Sequence, residues 1–275
     1  MAEASALPDT LVLVGAGKMG GAMMRGWLAL GMPGSAITAI DPYLSDEMQA
    51  LSREYGVRLA TSAEGVSAPE VLMLAIKPQM LESASAAMAP LIGPQTLVLS
   101  IMAGKTIANI AARLPAQAIV RCMPNTPAAV GRGITGACAN AAVSEGQRAT
   151  ATALLSAIGK VAWLEDEALI DAVTAVSGSG PAYVFYLVEC MAKAGEAIGL
   201  PADLAMQLAR ATVEGSGELM FRDTATSASQ LRINVTSPGG TTAAALDVLM
   251  ATDGLEPLMK KAIGAANRRA GELSG

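Results

Sequence analysis

The strongest constraint on the fold is an alternation in the first part of the chain. Short apolar runs at 11–14, 36–40, 71–76 and 96–101 are separated by longer stretches of helical character, such as 21–30 and 45–55. Each run has the length of one strand and is bounded by Gly, Pro or Asp. A parallel strand connection needs a dozen or more residues, most readily a helix, and a parallel sheet must be covered on both faces. The pattern therefore predicts an α/β domain with a parallel sheet between helices. Residues 118–122 and 161–164 read as further strands of that sheet.

After about Glu165 strand-like runs vanish. Residues 166–176, 181–198, 201–221, 241–251 and 255–273 read as successive helices separated by Gly and Pro signals. A chain of 275 residues accommodates two domains, predicted here as 1–165 and 166–275. Residues 182–188 are apolar on nearly every side, which predicts a helix buried all round, in its own domain or against a partner subunit.

Composition narrows the chemistry. There are no histidines, which removes Ser-His and Cys-His nucleophile pairs, His-ligated metals and any imidazole base. The formal net charge of −5 supplies no basic field for nucleic acid. Aromatic residues make up 3% of the chain, so the core must be aliphatic and Met-rich. Cys122, Cys138 and Cys190 are odd in number, far apart and set in apolar sequence, as reduced thiols are. The uncharged run 83–104 and the run 172–188 are broken by Pro and Gly, so neither reads as a membrane span. With no export signal at the start of the sequence, a cytoplasmic protein is expected.

Gly15-Ala16-Gly17-Lys18-Met19-Gly20 follows the first strand and opens a helix. In that context one glycine permits the turn, the second admits a pyrophosphate to the backbone and the third lets strand and helix pack closely. Asp41 ends the second strand, where a carboxylate accepts hydrogen bonds from an adenosine ribose 2′-OH and repels a 2′-phosphate. Its other reading is a cap for the helix beginning near Ser45. Ala75-Ile76-Lys77-Pro78, the segment 100–104 and Met123-Pro124-Asn125-Thr126-Pro127 end the later strands at the same edge, which predicts a cofactor crevice.

In the helical half, 176–183 and 235–242 are small, polar loops that open helices. Around Gly239, Gly240, Thr241 and Thr242 the hydroxyls and free backbone N–H groups make either a carboxylate-sized anion site or plain helix capping.

The glycine loop, Ile76-Lys77-Pro78, Met123-Pro124-Asn125-Thr126-Pro127, Ser177-Gly178-Ser179-Gly180-Pro181-Ala182-Tyr183 and Ser237-Pro238-Gly239-Gly240-Thr241-Thr242, in this order, resemble the pyrroline-5-carboxylate reductase family. The resemblance runs through nearly the whole chain, and the Ser-Pro-Gly-Gly-x-Thr motif is its most specific part. It implies a Rossmann N-terminal domain, an all-helical C-terminal dimerisation domain that interlocks with a second subunit, and often a ring of dimers. It implies reduction of an imino acid to proline with NADH or NADPH. Position by position, it implies cofactor contacts at Gly15 through Gly20, Asp41, Ser62, Ala75, Ile76, Lys77, Pro78, Ile101, Met102 and Ala103. It implies substrate contacts at Asn234, Thr241 and Thr242, with Ser237 nearby. Members favouring NADPH usually carry a small polar residue at the place of Asp41, so this chain leans to NADH. Met102 stands where Ala is more usual beside the nicotinamide.

A protonated cyclic imine accepts hydride without a strong base, which suits a chain without histidine. The expected roles are a carboxylate site at the 237–242 helix start and the Thr242 hydroxyl on the ring nitrogen, with Tyr183 either a proton source or a packing residue. Two rival readings remain at this point. A 3-hydroxyacid dehydrogenase would need a lysine in the helical half, where Lys193 is the candidate, and a dinucleotide-sensing or scaffold protein would need no catalytic group.

Overall fold

The computed structural model describes residues 7–274. Among them, eight strands form one sheet: β1 (Leu11–Val14), β2 (Ile37–Ile40), β3 (Arg58–Ala60), β4 (Val71–Leu74), β5 (Leu97–Ser100), β6 (Ala118–Met123), β7 (Gly133–Ala139) and β8 (Gly159–Trp163). Their order is β3-β2-β1-β4-β5-β6-β7-β8, and neighbours are parallel except β6 and β7, which are antiparallel. Leu11 of β1 lies opposite Ile37 of β2 and Val71 of β4. The chain winds outward from β1 in both directions, so the connections leaving β1 and β4 diverge at their carboxyl ends and leave a crevice.

The helices associated with this sheet are α1 (Lys18–Ala29), α2 (Asp46–Tyr55), α3 (Leu81–Met88), α4 (Ile107–Ala111), α5 (Glu145–Ser156) and α6 (Leu169–Val173). A π-helical segment, Thr174–Gly178, follows α6, and α7 (Gly180–Ala197), α8 (Ala202–Arg222), α9 (Ala228–Asn234), α10 (Thr241–Leu249) and α11 (Leu255–Ser274) complete the chain. No helix among the described residues is long and apolar enough to cross a membrane.

Alternation along the strands builds two core layers. Leu11 and Leu13 pack with Met23, Met24 and Trp27 on one side of the sheet. Val12 and Val14 pack with Leu72, Leu74, Leu81 and Leu91 on the other. Trp27 is fully buried, and its one polar atom is satisfied by the Leu154 carbonyl at 2.9 Å. Methionines fill the volume that aromatic residues would take elsewhere.

The runs predicted as strands are strands, displaced at their ends by one or two residues. β3, β7 and the short helix α9 carry no such signal. β3 is three residues opening on an arginine, and β7 is built largely of small residues. In β7 a Cβ on Gly136 would lie 2.8 Å from Val173, so the small residue is what admits α6 to the sheet.

The chain divides into two compact units, one running through Gly178 and including the stretch from Asn267 onward, the other Ser179–Ala266. By packing, the first unit thus runs on to 178, past the boundary expected at 165. The physical reason is that α6 belongs to the sheet: Ile170 is fully buried there, and Glu167 and Asp171 pair with Arg121 of β6.

In the second unit, α7 and α8 meet at a seam of small side chains. Ala192, Ala205 and Ala209 are its only buried residues among those described, and a Cβ on Gly195 would come 3.2 Å from that of Ala205. Val184, Phe185, Tyr186 and Leu187 are exposed. The all-round burial predicted for 182–188 is therefore not met within one chain. A helix face this apolar calls for a covering surface from elsewhere.

Candidate functional site

The glycine loop caps the crevice at the carboxyl ends of β1, β2 and β4. Gly15 N–H donates to the Ile40 carbonyl at 2.8 Å, and Ala75 N–H donates to that of Val14 at 2.8 Å. Gly15 has φ +95°, and a Cβ there would lie 2.6 Å from the Ala75 carbonyl oxygen. A Cβ on Gly20 would collide with the Gly15 carbonyl, so both glycines are required by packing. Gly17 differs, since a Cβ there would meet nothing within 4 Å. It lines the cleft described below and is the N-cap of α1, with no side-chain hydrogen bond. The first-turn amides of α1 thus lie beside open space, which is what a pyrophosphate needs.

Asp41 is tied down at both oxygens. Oδ2 accepts the Ala16 N–H at 2.8 Å and Oδ1 the Tyr43 N–H at 2.9 Å. The carboxylate therefore links the end of β2 to the glycine loop. It does not cap α2, because Ser45 does, accepting the Met48 N–H at 3.3 Å.

A cleft of about 470 Å³ opens at this edge. Gly15, Gly17, Asp41, Ser62, Ala75, Ile76 and Lys77 line it, seven of the positions singled out from the sequence. Ala16 is half-buried and engaged with Asp41, Lys18 is exposed at the start of α1, Met19 packs against the core, and Pro78 opens a short 3₁₀ turn. Ile101, Met102 and Ala103 are not part of the cleft lining. Met102 is 1% exposed, in the core layer with Val12 and Val14, so its side chain is a packing residue and does not stand open beside a ligand.

The sequence reading missed the apolar wall of the cleft. Ala84, Ala87, Met88 and Leu91 line it at helical spacing, with Met80 before them, and that periodicity was the available signal. Tyr43, 88% exposed, stands at the same cleft.

In the second unit, Asn234, Ser237, Gly239, Gly240, Thr241 and Thr242 lie on one continuous stretch from the end of α9 to the start of α10. Ser237-Pro238-Gly239-Gly240 is a type II turn, with Gly240 N–H donating to the Ser237 carbonyl at 3.1 Å and Gly239 at φ +70°. Gly240 is the N-cap of α10 and contributes no side-chain hydrogen bond to it. This removes side-chain capping by the N-cap residue as the reason for the motif. The Asn234 side-chain oxygen accepts from Gln230 Nε2 at 2.8 Å. Tyr183 is half-buried in the first turn of α7, and Lys193 is exposed toward its C-terminal end.

Burial pushes the Cys122 thiol up to about 12 and raises that of Cys138, so neither is a nucleophile at neutral pH.

Residues 167–273 match the family described as pyrroline-5-carboxylate reductase dimerisation, and residues 10–104 match that described as NADP oxidoreductase, coenzyme F420-dependent. A pyrroline-5-carboxylate reductase of Pseudomonas aeruginosa is 41% identical over 266 residues, covering 96% of each chain. The solved pyrroline-5-carboxylate reductase of Coxiella burnetii superposes with a TM-score of 0.90 at 34% identity, covering 98% of this chain and 99% of that one. The Plasmodium falciparum pyrroline carboxylate reductase, solved with NADP bound, gives a TM-score of 0.80 at 26% identity over 97% of this chain and 98% of that one. A glycine loop open at Gly17, a Ser-Pro-Gly-Gly turn that starts a helix, and near full-length likeness to these proteins agree: the chain belongs to the pyrroline-5-carboxylate reductase family.

Proposed function

We propose that this chain reduces 1-pyrroline-5-carboxylate to proline with a hydride from a nicotinamide dinucleotide bound in the cleft at Gly15–Lys77, and that NADH serves better than NADPH. The observation that carries the cofactor reading is Asp41, whose carboxylate lines the cleft and is fixed by two backbone N–H groups. A carboxylate at the end of the second strand accepts ribose hydroxyls and opposes a phosphate in their place. Lys77 also lines the cleft but follows β4, away from the strand end where the adenosine ribose is read.

A dinucleotide held in the cleft would supply a hydride to the imine carbon of the substrate, whose ring nitrogen, protonated from solvent, would take up the electron pair of the C=N bond. The residues of this chain bind and orient. Free amides at the start of α10, with Ser237 nearby, hold the substrate carboxylate, and Asn234 and Thr241 shape the same site. The Thr242 hydroxyl hydrogen-bonds the ring nitrogen. Fixed dipoles and exclusion of water supply the acceleration, so no imidazole is required. Exposed apolar side chains on α7 and α8 support a dimer or a ring of dimers as the working form.

The test follows oxidation of NADH and of NADPH on adding pyrroline-5-carboxylate, with proline identified as product and light scattering run on the active sample. Turnover by an oligomer is expected. Dinucleotide binding without turnover would support the sensing reading, and an active monomer would remove the dimer.

A further inference from the structure

Arg121 is the only charged residue buried among those described, at 2% exposure on β6. Nη1 lies 3.0 Å from Glu167 Oε1, and Nη2 lies 3.5 Å from Asp171 Oδ1. Its Nε is buried without a hydrogen-bond partner. A buried ion cluster seldom adds net stability over well-packed apolar side chains. Its value is better sought in what it holds in place.

What it holds is one short segment. Glu167 Oε1 also accepts the backbone N–H of Ile107 at 2.8 Å, which fixes the first residue of α4. Asp171 Oδ1 accepts the Ser274 hydroxyl at 3.0 Å, which fixes the end of α11. That end in turn presses on Gly104, where φ is +68° and a Cβ would lie 2.6 Å from the Leu273 carbonyl oxygen. Gly104 lies in the connection from β5 to α4, and Ile107 closes it as the first residue of that helix. The near end of the connection is set by the Ile101 N–H on the Leu74 carbonyl at 3.0 Å and by the buried Met102 side chain. The 101–107 backbone is therefore clamped from the sheet side and, through Glu167, from a buried arginine that is not itself in the cleft.

Resting on the function proposed above and on the cofactor contacts that the family resemblance implies at Ile101, Met102 and Ala103, beyond the cleft lined by the glycine loop and Asp41, we infer that Glu167 and Arg121 are positioning residues for hydride transfer. Arg121 holds the Glu167 carboxylate on the Ile107 N–H, and the segment before Ile107 is thereby held at a fixed height over the ends of β4 and β5. The adenosine end of the cleft, built from the glycine loop and Asp41, makes no use of this cluster.

The inference separates two measurements that a general loss of structure would move together. In Glu167→Ala the Ile107 N–H loses its acceptor, and kcat should fall about ten- to a hundredfold, as for a small misplacement at a reacting centre. The inhibition constant of ADP-ribose, which occupies only the adenosine end, should stay within about twofold. Glu167→Gln keeps an acceptor oxygen for Ile107 and should restore most of kcat. Gly104→Ala drives the same segment away from Leu273 by another route and should reproduce the kcat loss, which keeps the test decisive if Glu167→Ala does not fold. Unchanged kcat in Gly104→Ala or Glu167→Ala, or parallel loss of kcat and ADP-ribose binding, would overturn the inference. A wild-type protein without turnover would instead refute the proposed function.

Discussion

Asp41→Ser is the substitution that most directly examines how the cleft selects its dinucleotide. In the wild type both carboxylate oxygens are already engaged, at 2.8 Å with Ala16 N–H and 2.9 Å with Tyr43 N–H, so the group is held in place before any ligand arrives. A ribose hydroxyl donating to such a carboxylate is worth about 1.5–3 kcal/mol. A 2′-phosphate about 5 Å from it would be repelled by roughly 1–3 kcal/mol per unit charge at an effective dielectric of about 20 to 60. Serine retains a hydroxyl but no charge. Removing the carboxylate should therefore shift the NADH-to-NADPH ratio of kcat/KM toward NADPH by about 3 kcal/mol, on the order of a hundredfold. The same change loosens the glycine loop and should weaken both cofactors somewhat, so the ratio is the quantity to read. Steady-state kinetics with each cofactor at saturating substrate, in wild type and variant, give it. A wild type that prefers NADPH, together with a ratio unmoved by the substitution, would show that Asp41 serves the loop alone.

Thr242→Val preserves shape and deletes a hydroxyl; kcat/KM should fall roughly ten- to a hundredfold with cofactor affinity unchanged, measured by initial rates and dinucleotide titration. Gly17→Val and Gly15→Ala should behave oppositely. The first places a side chain in open space and should abolish dinucleotide binding with little change in melting temperature, whereas the second meets the Ala75 carbonyl at φ +95° and should destabilise the fold by more than about 1 kcal/mol in urea titration. Cys122 makes stability fall at high pH. Its folded-state pKa is raised from 9.0 to about 12, so the unfolded chain loses the proton first and stability declines as pH rises from about 9 toward 12. The drop in urea midpoint over that range should be smaller in Cys122→Ala.

The parts of this molecule that could be read from the sequence are those whose cause is local. β1, β2, β4 and β5 are largely apolar four-residue runs that are almost wholly buried, and the glycine loop directly follows the first of them and opens a helix. What escaped has causes distant in the chain. α6 joins the sheet because Arg121 pairs with residues 46 and 50 positions later, and no helix signal in 166–176 announces that. β7 is held by its neighbours β6 and β8 and by α6 at Gly136, not by strand-forming side chains of its own. The apolar run 182–188 was legible as a face needing cover, but whether the cover lies within the chain is a property of packing between helices. At the candidate site, the place of Asp41 at the end of the second strand was legible, but its bond to Ala16 joins two loops 25 residues apart. The inward turn of the Met102 side chain was not legible, because a residue just past a strand end can turn inward as readily as outward.

The return of residues 267–274 to the first unit has a consequence for how the protein is made. Synthesis is vectorial, and the sheet with its glycine loop is complete once β8 has emerged. The Ser274 hydroxyl and the Leu273 carbonyl that brace the 101–107 connection are translated only after Ser179–Ala266. At about 5–20 residues per second that stretch occupies the ribosome for roughly 4–18 s. During this interval the nascent dinucleotide-binding unit carries a buried arginine whose surroundings are unfinished and a loop with one brace missing. Emergence of residues 267–274, and not closure of the sheet, is then the moment at which the first unit acquires its final form.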